Sequence, residues 1–277
     1  PVSTQIIAID HLRIATPDLS AAGGDYQRLL GVAPVFEGEV QGHAAIVFAS
    51  GNVNLLLTED RGGTQGLREI CFRVGDGARL ERRLDRLAMD YGMAGADPLA
   101  ALRRSVGQPL LRLASSAARG LGISFVVSEA AGSRLEVSPA GGQPQVTGLD
   151  HVVIASDDAV QTAFLLGARL GLDLRMDRSN PDWGARLMFF RCGDLIVEVF
   201  QSLDDGGADG KVNTDEDAFY GLSWRVADVD GARARLDEAG VDVSAVRSGR
   251  KPGTRVFSVR DHTAGVATLM LEPARRG

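Results

Sequence analysis

The chain has 277 residues, of which 44% are hydrophobic and 24% charged, with a formal net charge of -6 at pH 7. This length exceeds one ordinary core and fits two domains, and the composition is that of a globular protein. An acidic chain without a sustained basic stripe argues against nucleic acid as a partner. We therefore expect a small-molecule partner.

Cysteine usage and the absence of apolar runs bear on location. Cys71 and Cys192 are too few for a disulfide framework and indicate a reducing compartment. The first residues lack the basic start and the apolar core of a signal peptide, and no apolar run has the length of a membrane span. We predict a cytoplasmic protein without a membrane partner, and whether it forms a homodimer stays open.

An internal repeat organises the sequence. Residues 9–16 (IDHLRIAT) recur 140 positions later as residues 149–156 (LDHVVIAS). Each copy is a short β-branched run followed by a helix start, which is typical of a strand that opens a structural unit. The third place is a histidine in both, so His11 and His151 are expected at equivalent positions.

The first unit follows directly from the first copy. Thr16, Pro17 and Asp18 are typical of a helix start, and the predicted helix runs to Leu30 and stops at Gly31. Three strands are predicted after this helix, over residues 33–37, 43–49 and 52–58. The unit therefore reads βαβββ.

The second unit is less regular. A strand and a helix are predicted over 67–74 and 77–91, and residues 97–106 fit a short helix as well as a loop. Two further strands are predicted over 109–114 and 123–127. Residues 130–147 hold the glycine, proline and serine signals of a linker.

The third unit repeats the first. Ser156 is the predicted helix cap and Gly171 the helix stop, and strands are predicted over 172–178, 185–191 and 194–200. A loop over 202–217 follows.

The fourth unit repeats the second. An ungapped shift of 152 residues pairs Arg73 with Arg225 and Arg83 with Arg235. A strand over 220–226 and a helix over 230–239, ended by Gly240, are predicted. The remaining predicted strands cover 241–246, 255–260 and 266–271.

Four βαβββ units with a DHxxIA segment opening each pair resemble the vicinal oxygen chelate superfamily, which includes glyoxalase I, extradiol dioxygenases and bleomycin resistance proteins. The resemblance covers nearly the whole chain. It implies an α+β fold in which four modules form two glyoxalase-like half-barrel domains. The implied domains are residues 1–140, with modules near 6–60 and 66–129, and residues 141–277, with modules near 148–203 and 218–273.

Strand alternation assigns side chains to the cleft of each half-barrel. If the opening histidine faces the cleft, every second residue of its strand and of the neighbouring strands does so as well. The cleft-facing sets are then His11 and Arg13; Asn54, Leu56 and Thr58; Glu69, Cys71 and Arg73; His151 and Val153; Ile196, Glu198 and Phe200; and Gly221, Ser223 and Arg225.

The resemblance implies metal ligands at the opening histidine and at a glutamate of the closing strand. The second half keeps both, as His151 and Glu198, and this pair suits Mn, Fe, Ni, Co or Zn. The first half keeps His11, with Glu69 where relatives carry a second histidine, but Leu56 stands where the glutamate belongs.

A third ligand is not fixed in either half. Glu136 qualifies only if GSRLEVS, residues 132–138, forms the closing strand, and Glu272 only with a shifted register. A site without any metal is therefore the alternative, in which the histidines are hydrogen-bonded structural residues and Glu69 pairs with Arg13 or Arg73.

The predicted function rests on the second half, which keeps both implied metal ligands. We predict a metal-assisted lyase, isomerase or dioxygenase acting on a small oxygenated molecule, with Glu198 and Arg225 as catalytic residues. Phe200, Ser223 and Val153 are expected to line the ligand pocket. The alternative is a non-catalytic protein that binds or sequesters a small molecule, as bleomycin resistance proteins do, and the number of metal ligands separates the two.

Overall fold

The computed structural model describes residues 6–103, 109–127, 135–139, 146–203 and 216–274. The predicted linker over 130–147 and loop over 202–217 lie mostly outside these ranges. No helix within them is long and apolar enough to cross a membrane.

The first two modules occupy the first half of the chain. Module one contains β1 (Ile6–Thr16), α1 (Leu19–Leu30), β2 (Val32–Ala33), β3 (Phe36–Val40), β4 (His43–Ser50) and β5 (Val53–Glu59). Module two contains β6 (Gly66–Val74), α2 (Gly77–Arg86), β7 (Tyr91–Ala96), β8 (Pro109–Leu113) and β9 (Ile123–Val127). A short strand, β10 (Ser138–Pro139), pairs with β2.

The second half repeats this order. Module three contains β11 (Val146–Ala155), α3 (Ala159–Ala163), β12 (Asp173–Asn180), β13 (Ala185–Cys192) and β14 (Leu195–Ser202), and α3 continues with π geometry over Phe164–Arg169. Module four contains β15 (Ala218–Val226), α4 (Val229–Glu238), β16 (Arg247–Ser248), β17 (Arg255–Val259) and β18 (Ala267–Glu272).

Two eight-stranded sheets have the same strand order. The first is β3-β4-β5-β1-β6-β9-β8-β7 and the second is β12-β13-β14-β11-β15-β18-β17-β16. In each, the strands that open two modules lie side by side at the centre. The α+β fold of four βαβββ modules in two curled sheets is therefore confirmed.

The two compact units of the chain do not coincide with the two sheets. The chain divides into one compact unit built mainly from modules two and three and another built mainly from modules one and four. The division into domains over residues 1–140 and 141–277 stays a prediction.

Two arginines that the sequence shift equates tie the modules together within these units. In one unit Arg83 of α2 donates to the carbonyl oxygens of Ala168 and Arg169, each at 2.7 Å. In the other unit Arg235 of α4 donates to the carbonyls of Arg28 and Leu29 at the end of α1. Each guanidinium thus satisfies the last carbonyls of a helix, where a positive charge is also favourable.

Four predicted features differ from the structure. The caps of α1 and α3 are Asp18 and Asp158, whereas the predicted Thr16 and Ser156 use their hydroxyls to accept the N–H of these aspartates. Helix α2 ends at Arg86, and not near residue 91, because Ala88 adopts φ 48°, which is not helical. The sequence did not predict this end, since no glycine stands there. The strand predicted over 241–246 is reduced to an isolated bridge from Val243 to Val259.

Candidate functional site

The register between β1 and β5 supports the assignment of faces in the first module. His11 pairs with Asn54 and Arg13 with Leu56 across these parallel strands. Paired residues in a sheet point to the same side, so these four share the cleft face, as predicted.

Asp10 of the first DH motif lies in a chain of buried ion pairs within one compact unit. Asp10 accepts hydrogen bonds from Arg73 at 3.2 Å and from Arg103 at 2.6 Å, and Arg103 also binds Asp97 at 2.8 Å. None of these four side chains is more than 5% exposed. Two carboxylates and two guanidiniums therefore balance each other's charge away from water.

Arg103 reaches this position because the loop after β7 folds inward. The Asp97 side chain accepts the N–H of Leu99, and Arg103 donates its backbone N–H to the Leu99 carbonyl, which forms a compact turn. Leu99 is fully buried and Ala100 nearly so. We call residues 97–103 the plug, because they cover the first DH motif.

Glu69, a predicted metal ligand, has other partners. Its carboxylate accepts hydrogen bonds from Arg112 at 2.8 Å and from Ser124 at 2.5 Å. The alternative prediction paired it with Arg13 or Arg73, and of these two arginines Arg73 binds Asp10. An arginine and a serine on this carboxylate compete with any cation for its oxygens.

The rest of the cleft face of module two is packed with apolar side chains. Cys71, Leu110 and Val126 form a buried cluster that Ala94 covers. The registers from Cys71 to Ser124 and from Arg112 to Ser124 place this cluster on the same face as Glu69. Protein side chains therefore fill this half of the first cleft.

One group of three residues has the composition of a metal site. Single ligand atoms of Asp10, His11 and Cys71 lie within 4.8 Å of one another, and all three residues are buried. Asp10 already holds two guanidinium groups, so a divalent cation here would face two positive charges. The charges present at this group therefore do not favour a divalent cation.

The second DH motif has a more open setting. His151 Nδ1 lies 2.9 Å from Asp150 Oδ2, and the Arg225 guanidinium lies 3.7 Å from Asp150 Oδ1. The side chains of His151, Arg225 and Asp150 are 17%, 28% and 33% exposed. We call these three residues the open triad.

Arg225 is held by a backbone carbonyl. Its Nε and Nη2 atoms donate to the Leu149 oxygen at 3.1 and 2.6 Å. Burial by itself raises the pKa of Asp150, but the hydrogen bond from His151 and the nearby Arg225 and Lys251 charges hold that pKa below its ordinary value. The Asp150 carboxylate is therefore ionised at neutral pH and sits among positive groups.

Glu198 lies on β14, the strand next to β11, which carries His151. It is 8% exposed and pairs in register with Phe189. Phe200, two residues on and on the same face, stacks on Tyr220 with ring centroids 6.3 Å apart. A carboxylate and an aromatic pair thus share this part of the second sheet.

Module four contributes a hydroxyl but no metal ligand at the corresponding positions. Ser223 is 1% exposed, and its oxygen has no hydrogen-bond partner among the described residues. Gly221 and Leu269 stand where ligands are needed. Glu272 is instead used at the start of α4, where it accepts the N–H of Val229 at 2.9 Å.

The described part of the second sheet does not bring three metal donors close together. Within the described ranges, the only group of three close ligand atoms is the buried one around Asp10. His151 and Glu198 remain the two predicted donors. Glu136 is exposed and lies outside the described strands. Val153 is half-buried two residues from His151.

The amino-acid sequence of the second half matches a known family model. Residues 150–257 match the sequence model of the Glyoxalase/Bleomycin resistance protein/Dioxygenase superfamily. The resemblance to the vicinal oxygen chelate superfamily is confirmed. A comparison with curated proteins found no match.

Solved structures extend the similarity of the fold to nearly the whole chain. BphC, a halotolerant catechol dioxygenase, is 15% identical with a TM-score of 0.69 over 98% of this chain and 88% of its own. A catechol 2,3-dioxygenase is 18% identical with a TM-score of 0.68 over 99% and 90%. The Mn(II)-bound glyoxalase from Novosphingobium aromaticivorans is 14% identical with a TM-score of 0.69 over 98% and 83%. Identities this low establish a shared fold and leave the activity open.

Reasoning from sequence missed the aspartate of each vicinal oxygen chelate DH motif. Alternation placed Asp10 and Asp150 away from the cleft, yet each carboxylate contacts the arginine that the 152-residue shift equates. The signal was present, because the shift pairs Arg73 with Arg225 just as the repeat pairs the aspartates.

Proposed function

We propose that the protein binds a small oxygenated molecule at the open triad, around His151 and Arg225. The support comes from the contrast between the two DH motifs. The first is covered by the plug, whereas every member of the open triad is partly exposed. Accessible polar side chains beside apolar ones are typical of small-molecule sites.

The proposed pocket combines polar and apolar side chains. Phe200, Ser223 and Val153 are its proposed lining, with the phenyl ring and the valine offering apolar surface and the serine a hydroxyl.

Binding without a resident metal is the form of this function that the donors support best. Catalytic zinc sites use three protein ligands, and the second sheet offers two predicted ones. Two predicted ligands, one fewer than such a metal site uses, favour a protein that binds or sequesters its small molecule. No chemical step is therefore assigned to a metal.

A metal-assisted lyase, isomerase or dioxygenase is the second candidate, and the Asp150–His151 contact favours it. Metal-binding histidines usually donate their other ring N–H to a carboxylate, which fixes the tautomer. Asp150 contacts Nδ1 at 2.9 Å, so a cation would be bound through the Nε2 atom of His151. His151 and Glu198 would hold Mn, Fe, Ni, Co or Zn and leave positions open for a substrate.

Metal analysis of protein purified without chelator or nickel resin separates the two candidates. The binding role predicts far less than one ion per chain, together with a small molecule that copurifies and is detected by native mass spectrometry. One Mn, Fe, Ni, Co or Zn per chain that is lost in both His151→Ala and Glu198→Gln would instead establish the metal-assisted enzyme.

Paired histidine variants test which half works. His151→Ala is expected to lose the copurified molecule, and His11→Ala is expected to keep it, provided that circular dichroism shows both variants folded. The reverse result would place the site in the first half. Arg186→Met is a matched control, because this 25% exposed arginine pairs with Asp177 on the opposite face from Glu198.

The remaining expectations concern location and assembly. Both cysteines are buried thiols, which supports the proposal of a reducing, cytoplasmic location. The proposed partner is a small molecule, and a homodimer stays a prediction.

A further inference from the structure

The loops after β7 and β16 differ in length and in their contacts with the two DH motifs. Residues 97–108 join β7 to β8, and their described part is the plug that delivers Arg103 to Asp10. Residues 249–254 join β16 to β17 and are half as long. They close on themselves, because Thr254 bonds the Lys251 carbonyl and Gly249 bonds the Thr254 carbonyl. The shorter loop leaves the open triad uncovered.

The arginines of the two motifs are paired differently. Asp10, Asp97, Arg73 and Arg103 bring two negative and two positive charges into contact. In the second motif Arg225 donates to a neutral carbonyl, and its contact with the Asp150 carboxylate is longer, at 3.7 Å. Lys251 adds a further positive charge near Asp150. The Arg225 guanidinium is therefore able to bind an anion from outside the chain.

The strand that carries Arg225 also carries an unsatisfied donor. Ser223 precedes Arg225 by two residues and therefore lies on the same face of β15. Its hydroxyl is buried and bonds no group among the described residues, although buried hydroxyls normally find a partner. Nη1 of Arg225 likewise has no bond within the described part of the chain. These two donors therefore lie on the same face of β15.

Apolar surface lies beside these donors. The register pairs Ser223 with Leu269 and Arg225 with Leu271, so both leucines share their face. Both are only half-buried, unlike Met270 between them, which is fully buried on the other side. A ligand that fits this surface has an apolar body and one negatively charged end.

We propose that Arg225 and Ser223 bind the carboxylate of a small organic acid whose apolar part lies over Leu269 and Leu271. This inference rests on the proposed function, since it names the ligand class of the same site. A single arginine beside leucines suits a monoanionic carboxylate better than a dianionic phosphate, which needs more positive charge.

The test uses acids paired with their amides as probes. Benzoate, phenylacetate and hexanoate are each compared with the corresponding amide by ligand-observed NMR and by titration, using full-length protein as purified. Removing the charge while keeping the shape isolates the carboxylate. At least one acid is expected to bind roughly tenfold or more tightly than its amide, as for hydrogen bonds to charged groups.

Variants of the two donors sharpen the result. Arg225→Met is expected to abolish the preference for the acid, whereas Arg186→Met, of similar exposure, is expected to leave it intact. Ser223→Ala is expected to weaken acid binding and, because it removes an unsatisfied buried hydroxyl, to leave the melting temperature unchanged or higher. A serine with a merely structural role would not separate binding from stability in this way.

Each contrary outcome has a distinct meaning. Equal binding of acids and amides, binding of no acid, or acid binding that survives Arg225→Met would overturn the carboxylate site. If the copurified molecule is neutral and is lost in His151→Ala but not in Arg225→Met, the carboxylate site falls and the proposed function stands. If neither variant affects the copurified molecule, both fall.

Discussion

Removing Arg103 tests whether the plug is held by its buried ion pairs. In Arg103→Met, Asp97 loses its guanidinium partner and Asp10 loses one of the two guanidinium groups that bind it. The side chains involved are at most 5% exposed, so the uncompensated carboxylate stays out of water. Breaking a buried pair from one side costs about 3–5 kcal/mol. At about 2–4 °C per kcal/mol, the melting temperature should fall by roughly 6–20 °C.

The measurement is urea unfolding followed by circular dichroism, with thermal melting beside it. Arg61→Met is the matched control, because Arg61 pairs with Glu59 at 3.1 Å but is 90% exposed. Exposed pairs contribute about 1 kcal/mol or less, so this variant should unfold almost like the parent. A loss below about 1 kcal/mol for Arg103→Met would refute the buried network, since it would equal the cost expected for an exposed pair.

A second substitution separates the ion pair from simple packing. Asp97→Asn combined with Arg103→Met removes the stranded charge, so the double variant should cost less than the sum of the two single variants. Additive losses would show that the arginine acts through its aliphatic part alone.

Three further predictions follow from other features. Neither Cys71 nor Cys192 should react with a thiol reagent in the native state, because both are buried and burial raises the pKa of the Cys192 thiol; both should react in guanidinium chloride, and fast native labelling would contradict this. Arg186 lowers the pKa of Asp177, so their pair stabilises the fold above the ordinary carboxyl pKa and is lost as pH falls through the lower folded value; Asp177→Asn should cost under about 1 kcal/mol at pH 7 and nothing near pH 2, as read from urea midpoints. Asp228→Ala removes the side-chain cap of α4 and should cost about 1 kcal/mol by the same measurement, whereas an unchanged midpoint would mean that Glu272 satisfies the helix start alone.

The modules were predictable because each carries its own local signals. The opening strand, the helix start and the glycine stop recur at fixed spacing, and Gly31 and Gly171 indeed adopt φ 71° and 82° at the predicted stops. Where such a signal is missing, as at Ala88, the predicted boundary was wrong. Local chemistry therefore determined most of the fold, and the strand order followed from the resemblance.

The plug could not be predicted from local pattern. Arg103 lies 93 positions after Asp10, in a stretch that fits a helix as well as a loop, and nothing in its neighbourhood announces a buried partner. The same holds for Glu69 and Arg112, which are 43 positions apart. Long-range ion pairs depend on where loops land, and loop placement is a tertiary property.

The asymmetry between the halves has a physical reason in the length of one loop. A cleft face that carries charged and apolar side chains has to be covered by protein or left to water and ligands, since buried charges require partners. In the first half the longer loop supplies Arg103, which completes a neutral, dry network around Asp10. In the second half the loop is too short to do so, and Arg225 stays partly exposed beside half-buried leucines. Arg225 is therefore the group of the second half that an anion from outside the chain can bind.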